Sequence, residues 1–222
     1  MSEYHKIVNV FRRDEQTHKV LPGVYTTDEL AFTSLCLWEG TEKVDGMNIR
    51  VIYPSGEAGQ LGIFGKTDRA QIKPDIYAAI VKAFPIEVLR EKCASATLEG
   101  PIIFYGEGYG AGIQKAGAGY RADKGFILFD VKVGQWWLRR GDVLGLGTAL
   151  GCEVIPAVAR GTLPELVAWM SQGQYSRVAQ GFGRTNVPME GIVARPDGCE
   201  LHTRRGERLI VKIKTCDFVA GA

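Results

Sequence analysis

Twenty-eight of the 222 residues are glycine, and they lie scattered between short apolar runs rather than gathered in one tract. Glycine weakens helix interiors but suits tight turns and close backbone approaches. This distribution therefore favours strands joined by turns over a helical bundle. The chain is long enough for one large domain, and no repeat, low-complexity tract or linker divides it. With 45% hydrophobic and 23% charged residues, it can bury a globular core.

Local patterns give a first element map. Val44–Tyr53 alternates and turns β-branched near its end, which predicts a strand. A turn at Pro54-Ser55-Gly56 leads to a second short strand at Leu61–Phe64. Pro74-Asp75 opens a helix with Ile76, Ile80, Val81 and Phe84 on one face, and Pro85 interrupts it. Ile86–Cys93 reads as a second helical piece. Strands follow at Pro101–Tyr105 and Phe126–Val133, then an ambiguous tract Trp136–Leu150. A short helix is expected at Leu163–Met170, with strands at Gly191–Arg195 and Arg208–Lys214. The sum is an α+β chain with antiparallel sheets flanked by short helices, not a βαβ winding. Neither a G-x-G-x-x-G opening a helix nor a G-x-x-x-x-G-K-[ST] loop is present, so Rossmann and P-loop nucleotide binding are out.

Charge and cysteine usage narrow the setting. A net charge of +2 neither demands nor forbids a nucleic-acid partner, because phosphate needs a local basic groove. Arg204, Arg205, Arg208, Lys212 and Lys214 do crowd the C-terminal stretch. Cys36, Cys93, Cys152, Cys199 and Cys216 form no C-x-x-C pair, and His5, His18 and His202 have no metal-ligand spacing. Reduced thiols and a cytoplasmic location are expected. No signal region and no membrane-spanning apolar run is evident.

The chemistry starts at Glu42-Lys43-Val44-Asp45-Gly46. A lysine used as a nucleophile must shed a proton, which needs desolvation or cationic neighbours. K-x-D-G is short, and alone a solvated lysine before a turn explains it better. An ordered set follows. Phe104-Tyr105-Gly106-Glu107 sets a carboxylate at the end of an apolar strand, and Phe126–Val131 is an aromatic-rich strand. Glu190-Gly191-Ile192-Val193 opens a strand with a carboxylate, and Leu209–Lys214 ends one with two alternating lysines. In an extended strand Lys212 and Lys214 project to one face, where a phosphate would relieve their repulsion.

In this order the five elements resemble motifs I, III, IIIa, IV and V of the covalent nucleotidyltransferase superfamily: DNA ligases, RNA ligases and mRNA capping enzymes. The resemblance spans about Thr41 to Thr215. Lys43–Asn48 and the run Tyr105–Lys115, which ends in Gln114-Lys115, are similar to the RNA ligase 2-like group. The resemblance implies an antiparallel-sheet nucleotidyltransferase (ATP-grasp-like ligase) fold, as one adenylyltransferase domain over residues 1–222. It implies ATP and magnesium or manganese as cofactors and RNA with nicked or duplex ends as partner. It also implies that Lys43 is adenylylated, passes AMP to a 5′-phosphate, and that a 3′-hydroxyl then seals the break.

Carried over by position, Glu42 is expected at the adenine edge, Asp45 and Asn48 near ribose and phosphate, and Glu107 on the ribose. Phe129 would stack on adenine, Glu190 would bind the divalent cation, and Lys212 and Lys214 would neutralise the α-phosphate. Lys66 is expected to contact ATP or the nucleic-acid phosphate, with Arg69 nearby. Lys66 stands where the family often has arginine, and it lacks the bidentate fork. Asp45 replaces a histidine common in the RNA ligase 2-like group. The sequence stops soon after motif V, so no OB domain is expected, and a partner or accessory domain could supply that function. A minimal DNA ligase, a capping-type guanylyltransferase and a non-catalytic nucleotide- or RNA-binding relic are the alternatives.

Overall fold

A computed structural model describes residues 3–54, 61–84, 86–93 and 100–219. The turn expected at Ser55-Gly56 and the break at Pro85 lie outside these residues. The strands are β1 (Val8–Asn9), β2 (Phe11–Arg13), β3 (Val20–Tyr25), β4 (Trp38–Lys43), β5 (Met47–Tyr53), β6 (Gly62–Phe64) and β7 (Ile102–Gly110). They continue with β8 (Lys124–Val133), β9 (Trp136–Trp137), β10 (Glu153–Val154), β11 (Ala157–Gly161), β12 (Gly191–Pro196) and β13 (Val211–Lys214). The helices are α1 (Asp28–Thr33), α2 (Pro74–Ala83), α3 (Ile86–Cys93), α4 (Gly117–Tyr120), α5 (Arg140–Leu150), α6 (Leu163–Ser171) and α7 (Arg177–Gly181). The chain folds as two compact units. The first holds Asp45–Ile155 with the N-terminal residues up to Tyr4, and the second holds His5–Val44 with residues from Pro156 onward.

The first unit is a sheet ordered β10-β8-β7-β5-β6, with β9 paired to β8. Alternation sorts its side chains. Ile49, Val51 and Tyr53 of β5, with Phe104, Phe126 and Leu128, bury one face in a core shared with Ile76, Ile80 and Phe84. Val81, expected on the same helix face, is 44% exposed, because the buried stripe of α2 runs at spacing four through 76, 80 and 84. The other face carries Ile52, Ile103 and Tyr105, with Tyr4, Phe129 and Trp137 packed on them.

The second unit is a five-stranded sheet ordered β1-β13-β12-β4-β11. Trp38, Ile192, Ala194, Val211 and Ile213 point inward on Leu163, Leu166 and Met170 of α6. A capping box between Thr162 and Glu165 starts that helix. The architecture is α+β, as expected, and most strand pairs are antiparallel. Two pairs run parallel: β1 with β13 and β10 with β8. Among the described residues no helix is long and apolar enough to cross a membrane.

Candidate active site

In the second unit the register lines up the key side chains. Gly191 of β12 lies opposite Lys43 of β4 on one side and Lys214 of β13 on the other. Two residues along, Val193 lies between Thr41 and Lys212, and Lys212 is in register with Asn9 of β1. Residues two apart share a face, so Lys43, Lys212 and Lys214 all rise from the same side of the sheet. Gly191 is required there. A Cβ at that position would collide with the carbonyl oxygen of Ile213.

Glu190, one residue before β12, reaches both neighbours. Lys43 Nζ donates to Glu190 Oε2 at 2.7 Å, and Lys214 Nζ stands 3.4 Å from Oε1. The three side chains are 26%, 22% and 31% exposed (Lys43, Glu190, Lys214), dry enough to strengthen the pairs and open enough to admit a ligand. Burial holds the Lys212 ammonium below its ordinary pKa, and repulsion from Lys214, Lys43 and Lys6 adds to this, while Glu190 opposes it. Lys6 was not singled out in the sequence. Asn9, beside Lys212, keeps a buried Oδ1 with no hydrogen-bond partner among the described residues. This face is a cationic field short of negative charge, the condition that suits phosphate.

Glu42, expected at the adenine edge, precedes Lys43 on β4. One residue from Lys43, its side chain projects to the opposite, buried face beside Ile192. Both carboxylate oxygens are engaged at the start of α7: Ser176 Oγ donates to Oε1, while the N–H groups of Arg177 and Val178 donate to Oε2 at 2.8 and 3.0 Å. The carboxylate fixes the strand that presents Lys43. Ser176 also caps α7 through Ala179 N–H, a role not anticipated from the sequence.

In the first unit the chain continues through Asp45-Gly46. A Cβ at Gly46 would come 2.8 Å from Glu107 Cγ and would strike the Gly108 carbonyl, so glycine lets this turn pass tightly beside β7. The Asp45 N–H donates to Tyr120 Oη at 3.2 Å. Gln114 Nε2 donates to Gly46 O at 3.1 Å, which ties the glycine-rich run to the K-x-D-G turn. Asn48 and Glu107 are direct cross-strand partners and share one face. Among the described residues Asn48 Oδ1 is buried without a hydrogen-bond partner, an acceptor open to a donor such as a hydroxyl.

Phe129 is half-buried on that same side of the sheet, in edge contact with Tyr4 at 5.2 Å between centroids. Tyr4 in turn donates to the buried Asp130 at 2.8 Å. Lys66 and Arg69 are exposed on the turn after the edge strand β6, with β5 between that strand and the one bearing Glu107. Arg50 escaped the sequence reading. Its signal was present: an arginine inside the apolar run Ile49–Tyr53, where burial forces a partner.

The family model for RNA ligase matches residues 37–214, from the start of β4 to Lys214. The chain belongs to the RNA ligase family. This ligase-family chain resembles solved structures of Naegleria gruberi RNA ligase. One variant with ATP and Mn superposes with TM-score 0.64 at 17% identity, covering 96% of this chain and 56% of that one. An apo variant gives 0.62 at 18%, with 96% and 59% covered. A variant with AMP and Mn gives 0.59 at 16%, with 94% and 60% covered. At these identities the likeness is one of fold, and the chain spans between half and two-thirds of the length of these proteins. No protein of the curated set matches it. The matched span contains Lys43, Glu107, Phe129, Glu190, Lys212 and Lys214.

Proposed function

We propose that this RNA ligase-family protein is an ATP-dependent RNA ligase that carries AMP on Lys43 and joins a 5′-phosphate to a 3′-hydroxyl at nicked or duplex RNA ends. The observation that carries the reading is the lateral row Lys43–Gly191–Lys214, with Glu190 hydrogen-bonded to Lys43 and ion-paired with Lys214. A nucleophilic amine, two further ammonium groups and one carboxylate on a single sheet face match phosphoryl transfer better than any other chemistry here. That ATP, AMP and manganese accompany the similar Naegleria structures supports the choice of nucleotide.

Lys43 Nζ attacks the α-phosphorus of ATP; a P–N bond forms, the P–O bond to pyrophosphate breaks, and the amine gives up a proton. Lys212 and Lys214 offset charge on the α-phosphate and the departing group. Glu190 orients Lys43 before attack. The 5′-phosphate of RNA next displaces Lys43 from phosphorus, and the 3′-hydroxyl then displaces AMP. Asn48 and Glu107 would hold the ribose, Asp45 the adjoining groups, and Phe129 the adenine face.

Among the described residues no three His, Cys, Asp or Glu side chains are grouped to hold a metal ion. A single carboxylate, Glu190, suits a magnesium or manganese ion that keeps most of its water and phosphate ligands, so the donor set fits. Such an ion, when bound, supplies further neutralisation of the phosphate oxygens.

Incubation with labelled ATP, GTP or NAD and magnesium tests the reading. Label from ATP should stay covalently bound through an acid-labile, base-stable link and vanish in Lys43→Ala. Equal labelling of that variant, or none of the wild type, sinks it.

A further inference from the structure

Arg50 has no solvent exposure, and two of its three nitrogens are spent on one short turn. Nε donates to Gly65 O at 3.0 Å, and Nη2 to Asp68 Oδ1 at 2.8 Å. The guanidinium also lies 5.6 Å from the centroid of Phe64, the residue just before the turn and Arg50's cross-strand partner. Its Nη1 is buried with no hydrogen-bond partner among the described residues. A strand built only for stability would set an apolar side chain here, since a buried charge with a spare donor is expensive to keep.

The turn that Arg50 grips is itself tightly closed. A Cβ at Gly65 would stand 2.7 Å from the Ala70 Cβ, and Ala70 N–H donates to Thr67 O at 3.2 Å. Asp68, half exposed, has its carboxyl held below the ordinary range chiefly by the hydrogen bond from Arg50. Lys66 and Arg69 flank Asp68 and are exposed, and among the described residues neither makes an ion pair. Two loose cations on a solvated turn need no clamp. Two cations that must meet an anion in fixed geometry do, because ordering them beforehand removes that cost from binding.

We propose that Arg50 and Asp68 form a clamp that presets the Gly65–Ala70 turn so that Lys66 and Arg69 receive the terminal 5′-phosphate of the RNA. Arg50 is a positioning residue, and the choice of RNA rests on the function proposed above. The clamp also compensates for Lys66: a lysine without arginine's fork gains directionality from a rigid turn.

The test is binding of a fluorescent nicked RNA duplex carrying either a 5′-phosphate or a 5′-hydroxyl at the nick, without ATP. Wild type should prefer the phosphate about tenfold, the scale of a charge-assisted contact. Asp68→Ala and Arg50→Lys should cut that preference to about twofold while leaving affinity for the 5′-hydroxyl duplex within about twofold. Adding Asp68→Ala to Lys66→Ala/Arg69→Ala should cause no further loss. Should Arg50→Lys misfold, Asp68→Ala still decides, because its side chain is half exposed. Full phosphate preference in Asp68→Ala, additive losses, or a wild type indifferent to the phosphate overturns the clamp. A wild type that prefers the phosphate but never takes AMP on Lys43 overturns the ligase reading and leaves the clamp standing.

Discussion

Lys43 and Lys214 face each other across Gly191, and the carboxylate of Glu190 bonds one at 2.7 Å and stands 3.4 Å from the other. The missing side chain at 191 is what lets two ammonium groups from different strands converge on one carboxylate. Gly191→Ala should therefore damage fold and function together. Its Cβ would meet the Ile213 carbonyl, forcing β12 away from β13 at a cost of about 1–3 kcal/mol. A urea midpoint unchanged from wild type, with full labelling by ATP, would contradict this.

Lys212 and Arg204 separate a site cation from a merely nearby one. Lys212 stands in the row with Val193 and Thr41 and feels Lys43 and Lys214; Arg204 is exposed on a turn. Lys212→Ala should slow labelling of Lys43 by about 10- to 100-fold, the loss of one charge that stabilises the transition state, whereas Arg204→Ala should stay within about twofold. Single-turnover rates with saturating ATP make the comparison. Equal losses would remove Lys212 from the proposed role.

Glu42 supplies a pH signature. Burial raises its pKa above the ordinary 4.5, and the hydrogen bonds from Ser176, Val178 and Arg177 only partly offset this. A folded value above the unfolded one means that the protonated form adds stability, fully present below pH 4.5 and lost as pH climbs through the folded value. Glu42→Gln cannot titrate; its amide oxygen can still accept from both N–H groups, while its NH2 replaces the acceptor of the Ser176 hydroxyl at a pH-independent cost of about 1–3 kcal/mol. The stability of wild type relative to this variant should therefore decline from about pH 4 upward and then level off. Urea midpoints across that range measure it, and a flat difference would refute the assignment.

How much of this was legible beforehand depends on whether the signal was local. β5, β8 and β12 announce themselves by β-branched or aromatic runs, and α2 and α6 by proline near the first turn with an apolar stripe. β4, Trp-Glu-Gly-Thr-Glu-Lys, carries no such run; it is a strand because β11 and β12 pair with both its edges. The tract Trp136–Leu150 stayed ambiguous because α5 holds three glycines, one of them, Gly147, packed against Val154. The motif residues were readable as a set, and the register places Lys43, Lys212 and Lys214 on one face of the sheet, with Glu190 beside Lys43 and Lys214. The partner of Glu42 was not readable, because Ser176 lies 134 residues away and only the fold chooses which face of β4 is buried. Arg50 shows the same limit: the sequence reveals a misplaced charge but not the turn that it holds.

Glu190 has two roles that one substitution can separate. It orients Lys43 by a direct hydrogen bond, and it is the proposed carboxylate contact for a divalent cation. Glu190→Gln retains an oxygen that can accept from Lys43 but carries no charge to attract an ion. If orientation were all, the variant would label with ATP at nearly the wild-type rate at every magnesium concentration. With the metal role added, labelling should fall about 10- to 100-fold at low magnesium, and the half-saturating magnesium concentration should rise several-fold. High magnesium should then recover part of the rate, because the phosphates supply most of the ligands. A magnesium titration of Lys43 labelling reads both quantities, and an unshifted midpoint would leave Glu190 as an orienting residue alone.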